Sequence, residues 1–260
     1  MNLRSKIAGL AAMRQFDNRW ALVWSRIVHP RQRVVVYKLG GMQIAMDRAA
    51  GDLNLVRDVL TSPMYRHYLN QLPRSRPLRV LDIGAGAGGF ALLLKAMAMP
   101  IERIGCVEMN PRTCERLRLN LDQHLRGRAD VLNAAVCGHA GPIQVRLGAG
   151  STGDSLQDSP NGHAAPPATI DGITFDAAYA ALFGDGPVDV CKLDIEAAEY
   201  DVLAGPAHTA LGRCRWLIVE IHDRPDRSAA EAVGAIERLG FRELPRGAEP
   251  QVYGFHNPAA

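Results

Sequence analysis

Cysteine is sparse in this chain, and the five present (Cys106, Cys114, Cys137, Cys191, Cys214) are scattered. None forms a C-x-x-C pair and none has a close histidine partner, which argues against a zinc site and against a disulfide framework. Most lie in apolar runs, where a free cysteine is a small hydrophobe, so a reducing, cytoplasmic compartment is expected. No stretch approaches the ~18 uninterrupted apolar residues of a membrane span. The apolar start Ile7-Ala-Gly-Leu-Ala-Ala-Met is short and polar-flanked, without a convincing cleavage site, so secretion is not expected. Charge excess is also small, +3 over 260 residues, too little to imply a nucleic-acid partner. With 47% hydrophobic residues the chain can build a core, which excludes wholesale disorder.

What is present is concentrated in Val80-Leu-Asp-Ile-Gly-Ala-Gly-Ala-Gly-Gly. An apolar strand ends in Asp82 and runs into a loop nearly free of side chains, followed by a helix beginning Phe90-Ala-Leu-Leu-Leu. Such a loop lets backbone approach a ligand at a helix's positive end. Gly84, Gly86 and Gly89 satisfy the G-x-G-x-x-G dinucleotide spacing. An acid just before the first glycine would oppose a pyrophosphate, whereas S-adenosylmethionine, with its sulfonium and amino group, would welcome it. Glu108 ends the next apolar strand 24 residues after Gly84, where a carboxylate can accept the hydroxyls of a ribose. Together Asp82 and Glu108 favour S-adenosylmethionine.

The charge is unevenly placed. Residues 1–38 hold eight Lys/Arg against Asp17 alone, leaving a net −4 on the rest. A basic start of this kind is usually a solvated face, but it could contact a membrane or another subunit. Around it, Trp20, Leu22, Val23, Trp24 and Ile27 form an amphipathic pattern. Packing onto the main domain is the expectation, with a membrane surface as the alternative.

Residues 1–28 read as helical up to His29-Pro30. A hairpin is expected around Gly40-Gly41, then short helices over 52–60 and 65–72. Pro73-Arg-Ser-Arg-Pro77 reads as a linker. Beyond it strands over 79–83, 103–108, 129–134, 188–194 and 215–221 alternate with helices over 88–98, 111–122, 197–204 and 227–239. Residues 241–244 and 251–255 can close the sheet as an antiparallel hairpin. The expected fold class is α/β, a mostly parallel sheet with helices on both faces. The expected division is an N-terminal helical and hairpin extension, 1–72, and a catalytic domain, 78–257. Residues 148–168, rich in Gly, Ser, Asp and Pro without periodicity, read as a loop over a substrate.

A second cluster follows the loop in sequence. In Val188-Asp-Val-Cys-Lys192-Leu-Asp194-Ile-Glu196-Ala-Ala-Glu199 strand alternation puts Lys192 and Asp194 on one face. Glu199 falls in the first turn of the next helix, where the helix dipole explains an acid. Glu220 and His222 share a face at the end of the fifth strand. If strands four and five are neighbours, Asp194, Glu220 and His222 converge at the carboxyl end of the sheet, where open α/β sheets bind ligands. The trio could work as a His222 general base oriented by Glu220 or Asp194, hold a divalent metal, or form a structural network. A metal-free site is the expectation. For Lys192 the choices are neutralising Asp194 and stabilising oxyanion charge.

These blocks in this order resemble the FkbM-type S-adenosylmethionine-dependent methyltransferases, from about residue 36 to 255. Val80 to Phe90 looks like the cofactor loop of the wider methyltransferase class, Val107-Glu-Met-Asn-Pro like the ribose-binding segment, and Asn133-Ala-Ala-Val like the segment bordering the adenine. Lys192-Leu-Asp-Ile-Glu-Ala-Ala-Glu-Tyr-Asp-Val-Leu and Val219-Glu-Ile-His are similar to the family's most specific blocks. One departure is Ala197, where the family usually has glycine. The resemblance implies a Rossmann-like class I methyltransferase fold. It also implies O-methylation of a hydroxyl on a sugar, glycan or secondary metabolite, with Asn133 and Ala134 flanking the adenine.

Two rival readings have sequence tests. An NAD-dependent oxidoreductase would explain the literal G-x-G-x-x-G, yet Asp82 opposes it and no Tyr-x-x-x-Lys hydride-transfer site is visible. A non-catalytic adaptor would be missing cofactor residues, and none is visibly missing. Amino methylation of a flipped base has no support, because no Asn/Asp-Pro-Pro-Tyr/Phe tetrapeptide occurs.

Overall fold

A computed structural model of the chain describes residues 14, 16–50, 52, 59–60, 63–145, 147, 168–205 and 208–260. The expected substrate loop at 148–168 lies outside the described residues except for Ala168, as do most of the helix expected over 52–60 and residues 1–13. A seven-stranded sheet carries the fold. Its parallel strands are β3 (Leu78–Ile83), β4 (Ile101–Glu108), β5 (Ala129–Asn133), β9 (Val188–Leu193) and β10 (Cys214–Glu220). The edge hairpin β11 (Arg242–Glu243) and β12 (Val252–His256) is antiparallel, and β12 inserts between β11 and β10. Across the sheet the order is β5-β4-β3-β9-β10-β12-β11. Strand order therefore reverses between β3 and β9, and the crevice at such a reversal is where open α/β sheets take ligands.

The sheet strands form where the sequence is a continuous apolar run. All six residues of β9 are buried, as expected of a strand covered on both faces. Helices α3 (Gly89–Ala96) and α4 (Pro111–His124) follow β3 and β4. Asn110 caps α4 by accepting from the Arg112 N–H, with Pro111 at the first helical position. Helices α5 (Phe175–Phe183), α6 (Glu199–Ala204) and α7 (Ala229–Arg238) complete the layers, α7 opening on a Ser228–Glu231 capping box.

Two features differ from expectation. A small sheet of β6 (Ala135–Val136), β8 (Ala168–Ile173) and β7 (Gly141–Val145), with α5, fills the crossover between β5 and β9. Its strands are short and only half buried, so their apolar signal in sequence is weak. At the other end, the chain turns through residues 16–18 before α1 (Arg19–Val28) begins. Asn18 is committed elsewhere: its side chain donates to the Val36 carbonyl and accepts from the Lys38 N–H, each at 2.9 Å.

The N-terminal hairpin of β1 (Val34–Leu39) and β2 (Met42–Asp47) packs on α4. Asn120 of α4 accepts from Ala45 N–H at 2.7 Å and donates to the Ala45 and Ala87 carbonyls, tying hairpin and glycine loop to one side chain. A buried Arg116–Asp52 ion pair ties α4 to the residue that also accepts from the Asp47 N–H at the end of β2. Tyr37, Ile44, Tyr65 and Tyr68 share one apolar cluster with Val80, Phe90 and Leu93 of the main sheet and its helix. No helix among the described residues is long and apolar enough to cross a membrane.

Candidate active site

The glycine loop lies between β3 and α3, at the carboxyl edge of the sheet. Gly84 has φ +77°, and a Cβ there would sit 1.7 Å from the Asp194 carbonyl oxygen. Only glycine lets the loop pass under the end of β9. Gly88, which the dinucleotide spacing skips, is left-handed as well (φ +96°) and is the residue from which α3 starts. Gly86 donates its N–H to Glu108 Oε2 at 3.0 Å, and Asn110 N–H donates to Oε1 at 2.8 Å. Glu108 thus clasps the loop and the start of α4. Asn133 donates to the Glu108 and Met109 carbonyls at 2.8 and 2.9 Å, holding the ends of β4 and β5 together beside Ala134, which is buried. Gly89 is buried and faces Val59.

Asp82 and Lys192 are direct partners across the β3–β9 register. Both are buried, and Lys192 Nζ sits 3.5 Å from Asp82 Oδ1, 3.1 Å from Asp194 Oδ2 and 2.8 Å from the Gly84 carbonyl. The hydrogen bond to the Gly84 carbonyl and the ion pairs with the two carboxylates hold the ammonium in the interior, so it neutralises acids there. Burial alone would push the Lys192 ammonium pKa down, but the charges of Asp194 and Asp82 more than offset that and raise it. Burial also raises the Asp82 carboxyl, Lys192 acting against it. Among the described residues neither Asp82 oxygen receives a hydrogen bond.

Strands β9 and β10 are neighbours, so Asp194, Glu220 and His222 do converge. His222 Nδ1 bonds Glu199 Oε1 at 3.1 Å, and Glu199, fully buried, is anchored by the Ile195 N–H at 2.8 Å. Helix-dipole pairing therefore does not exhaust the role of Glu199. His222 Nε2 faces three further carboxylates: Glu196 at 3.7 Å, Asp194 and Glu220 at 3.8 Å. The ring is 20% exposed, so this group opens to solvent while the Lys192 group does not. Burial would depress the imidazole, yet the Glu199 hydrogen bond and the charges of Glu199, Asp194 and Glu196 lift it to about 9. Glu196 is pushed up to about 7, by burial first and by the neighbouring acids, against the pull of His222. Burial and the Asp194 charge raise Glu220.

Two contributors escaped the sequence reading. Tyr65, from the N-terminal extension, places its hydroxyl 3.3 Å from both Asp194 Oδ2 and Glu220 Oε2. Nothing local to Tyr65 announces that, because its partners lie 129 and 155 residues away. Glu196 is carried into the cluster by a left-handed turn, with φ +53° at Glu196 and +74° at Ala197. The signal was the family glycine at the position of Ala197, since glycine is the residue that adopts such a φ without penalty.

The Methyltransferase FkbM domain matches residues 82–243, more than half of the chain. No curated protein matches. Among solved structures, methyltransferase FkbM from Methylobacillus flagellatus KT is 17% identical with a TM-score of 0.48, covering 78% of this chain and 53% of that one. The chain thus spans about half the length of that protein. Aeropyrum pernix fibrillarin in complex with natively bound S-adenosyl-L-methionine is 15% identical (TM-score 0.46), covering 87% and 84% of the two chains. A putative RNA methyltransferase from Pyrococcus horikoshii is 14% identical (TM-score 0.40), covering 79% and 82%. With a parallel sheet that reverses at a glycine loop and a domain match from Asp82 to Glu243, the chain belongs to the FkbM methyltransferase family.

Proposed function

We propose that the protein methylates a hydroxyl of a sugar, glycan or secondary metabolite with S-adenosylmethionine as donor. The observation that carries this reading is the juxtaposition, across β3, β9 and β10, of the glycine loop and the Glu199–His222 pair. The donor fits the residues present: Asp82 offers a buried carboxylate without a hydrogen-bond donor among the described residues, suited to a cationic ligand, and the loop beside Glu108 presents backbone at Gly84 and Gly86 in place of side chains. Asp82, Gly84, Gly86, Gly89, Glu108, Asn133 and Ala134 would hold it. Bound there, the donor supplies an electrophilic methyl carbon. His222 Nε2 would take up the hydroxyl proton of the acceptor as its oxygen is methylated. Glu199 steadies the ring from behind and raises its basicity. Lys192 acts as a positioning residue, holding Gly84 and the two carboxylates. Much of the acceleration comes from alignment of the reacting atoms.

A second reading rests on one distance set. Asp194, Glu220 and His222 offer donor atoms all within 4.8 Å of one another, a spacing that a divalent cation can bridge. Residues 1–72 remain an extension that lends Tyr65 to the methyltransferase domain of 78–257. The cytoplasm is the compartment of this reading, supported by five free, buried cysteines.

The test is mass spectrometry of candidate glycans and metabolites incubated with the protein and S-adenosylmethionine. A gain of one methyl group is expected, lost in His222→Gln although calorimetry still shows donor binding. Unchanged turnover in that variant removes the base assignment. Loss of turnover on adding a chelator, restored by a divalent cation, moves the second reading ahead. Nicotinamide cofactor binding in place of the methyl donor overturns both.

A further inference from the structure

Helix α1 is docked with an apolar side outward. Leu22 is 1% exposed and faces the core, whereas Trp20, Trp24 and Ile27 are 75%, 66% and 68% exposed. Spaced i, i+4 and i+7, those three lie on one face, opposite Leu22. Of Trp20, Leu22, Val23, Trp24 and Ile27, expected to pack onto the domain, Leu22 and Val23 do so.

The orientation is held by specific bonds. Asn18 ties the start of α1 to β1, the Asp17 N–H donates to the Lys38 carbonyl at 2.8 Å, and Arg48 reaches Ser25 and the Leu22 carbonyl. A helix free to roll would bury its tryptophans. This one is clamped with them in water, and Val34 and Val36 of β1 are exposed as well. Large exposed apolar faces of this kind mark interaction sites.

The surrounding charge identifies the occupant. Arg14, Arg19, Arg26, Arg31, Arg33 and Lys38 are exposed, and Asp17 is the only acid between residues 14 and 38. Pairing two copies of this face about a twofold axis would bring two sets of these cations together. A basic helix with tryptophans on its outer face is instead the chemistry that settles at the boundary of headgroups and acyl chains. We propose that α1 docks this protein on a membrane surface rich in anionic phospholipid, its Trp20, Trp24 and Ile27 entering the interface and its arginines meeting the headgroups. The proposal stands apart from the active-site chemistry.

The experiment is co-sedimentation of the full chain with phosphatidylcholine vesicles, with and without phosphatidylglycerol, followed by tryptophan emission. Two of the three tryptophans lie on this face, so binding should shift the emission to the blue. Bound protein should rise at least about tenfold with the anionic lipid and fall in high salt, as screening requires. Trp20→Ser with Trp24→Ser should abolish binding at an unchanged far-ultraviolet spectrum and melting temperature. Arg19→Gln with Arg26→Gln should weaken it and flatten its salt dependence. Absence of wild-type binding to anionic vesicles overturns the proposal, as does equal binding to neutral vesicles or undiminished binding of the tryptophan variant. Self-association lost in the tryptophan variant, without vesicle binding, assigns the face to a second copy and also overturns it.

Discussion

Lys192 and His222 stand at the carboxyl ends of adjoining strands, each among acids, yet the two groups are built in opposite ways. Around Lys192 the ammonium donates to the Gly84 carbonyl and is ion-paired with Asp82 and Asp194, Lys192 and Asp82 are buried, and the register places Asp82 directly opposite. Around His222 one nitrogen is hydrogen-bonded to a buried carboxylate while the other faces three carboxylates at 3.7–3.8 Å, beyond hydrogen-bond reach. Buried charges persist only when paired, so the first group holds the loop in place. The second is half-open and acid-rich, with capacity left over for a ligand. Adjacent charges of the same kinds therefore serve structure or chemistry according to how completely they are satisfied.

The contrast breaks most visibly at Lys192. Lys192→Met should cost about 3–5 kcal/mol in denaturant unfolding, since it strands two carboxylates in the interior. A variant within 1 kcal/mol of wild type would show that the sealed network carries no structural load. His222→Gln should lower turnover about 10²–10⁴-fold and remove the part of the stability that is lost in wild type as pH rises through 9.

Glu199→Gln sharpens the comparison. Removing the charge behind the ring should lower the imidazole pKa, so the rising limb of kcat/KM against pH, expected near 9 in wild type, should move down. An unmoved limb separates Glu199 from the base.

Stability against pH reads the same group. The His222 pKa is raised from 6.5 to about 9 in the fold, so its contribution is complete below 6.5 and lost as pH rises through 9. Glu196 is raised from 4.5 to about 7, so its protonated form is the one the fold favours, and stability falls as pH climbs between those values. Melting temperatures should decline from pH 5 to pH 9, and Glu196→Gln should flatten the part below pH 7. The smallest effect is expected at Ala197, whose left-handed φ of +74° carries a penalty that glycine avoids. Ala197→Gly should gain about 0.5–1 kcal/mol, read from the denaturation midpoint.

Much of this architecture could be read in the chain itself. Apolar runs of five to eight residues, broken by glycine or capped by Asn110 and Ser228, mark strands and helices through local sterics and hydrogen bonding. The loop at Gly84 and the acids Asp82, Glu108 and Asp194 stand out because each ends an apolar strand. The weak spots were segments with little burial, such as β7 and β8, and residues whose partners are distant. Tyr65 carries no local mark of a role, and Glu199 reads equally well as a helix-dipole acid.

Sequence by itself determined that a parallel sheet would end in glycine, acids and a histidine, because period-two burial and backbone sterics act over a few residues. Tertiary structure alone decided that Lys192 is buried among paired carboxylates while His222 is half-open, that Tyr65 reaches both groups, and that α1 turns its tryptophans outward. Those outcomes depend on register and on contacts between residues distant in sequence, from 18 positions for Asn18 and Val36 to 155 for Tyr65 and Glu220. There the cost of leaving a buried charge or donor unpaired outweighs any local preference.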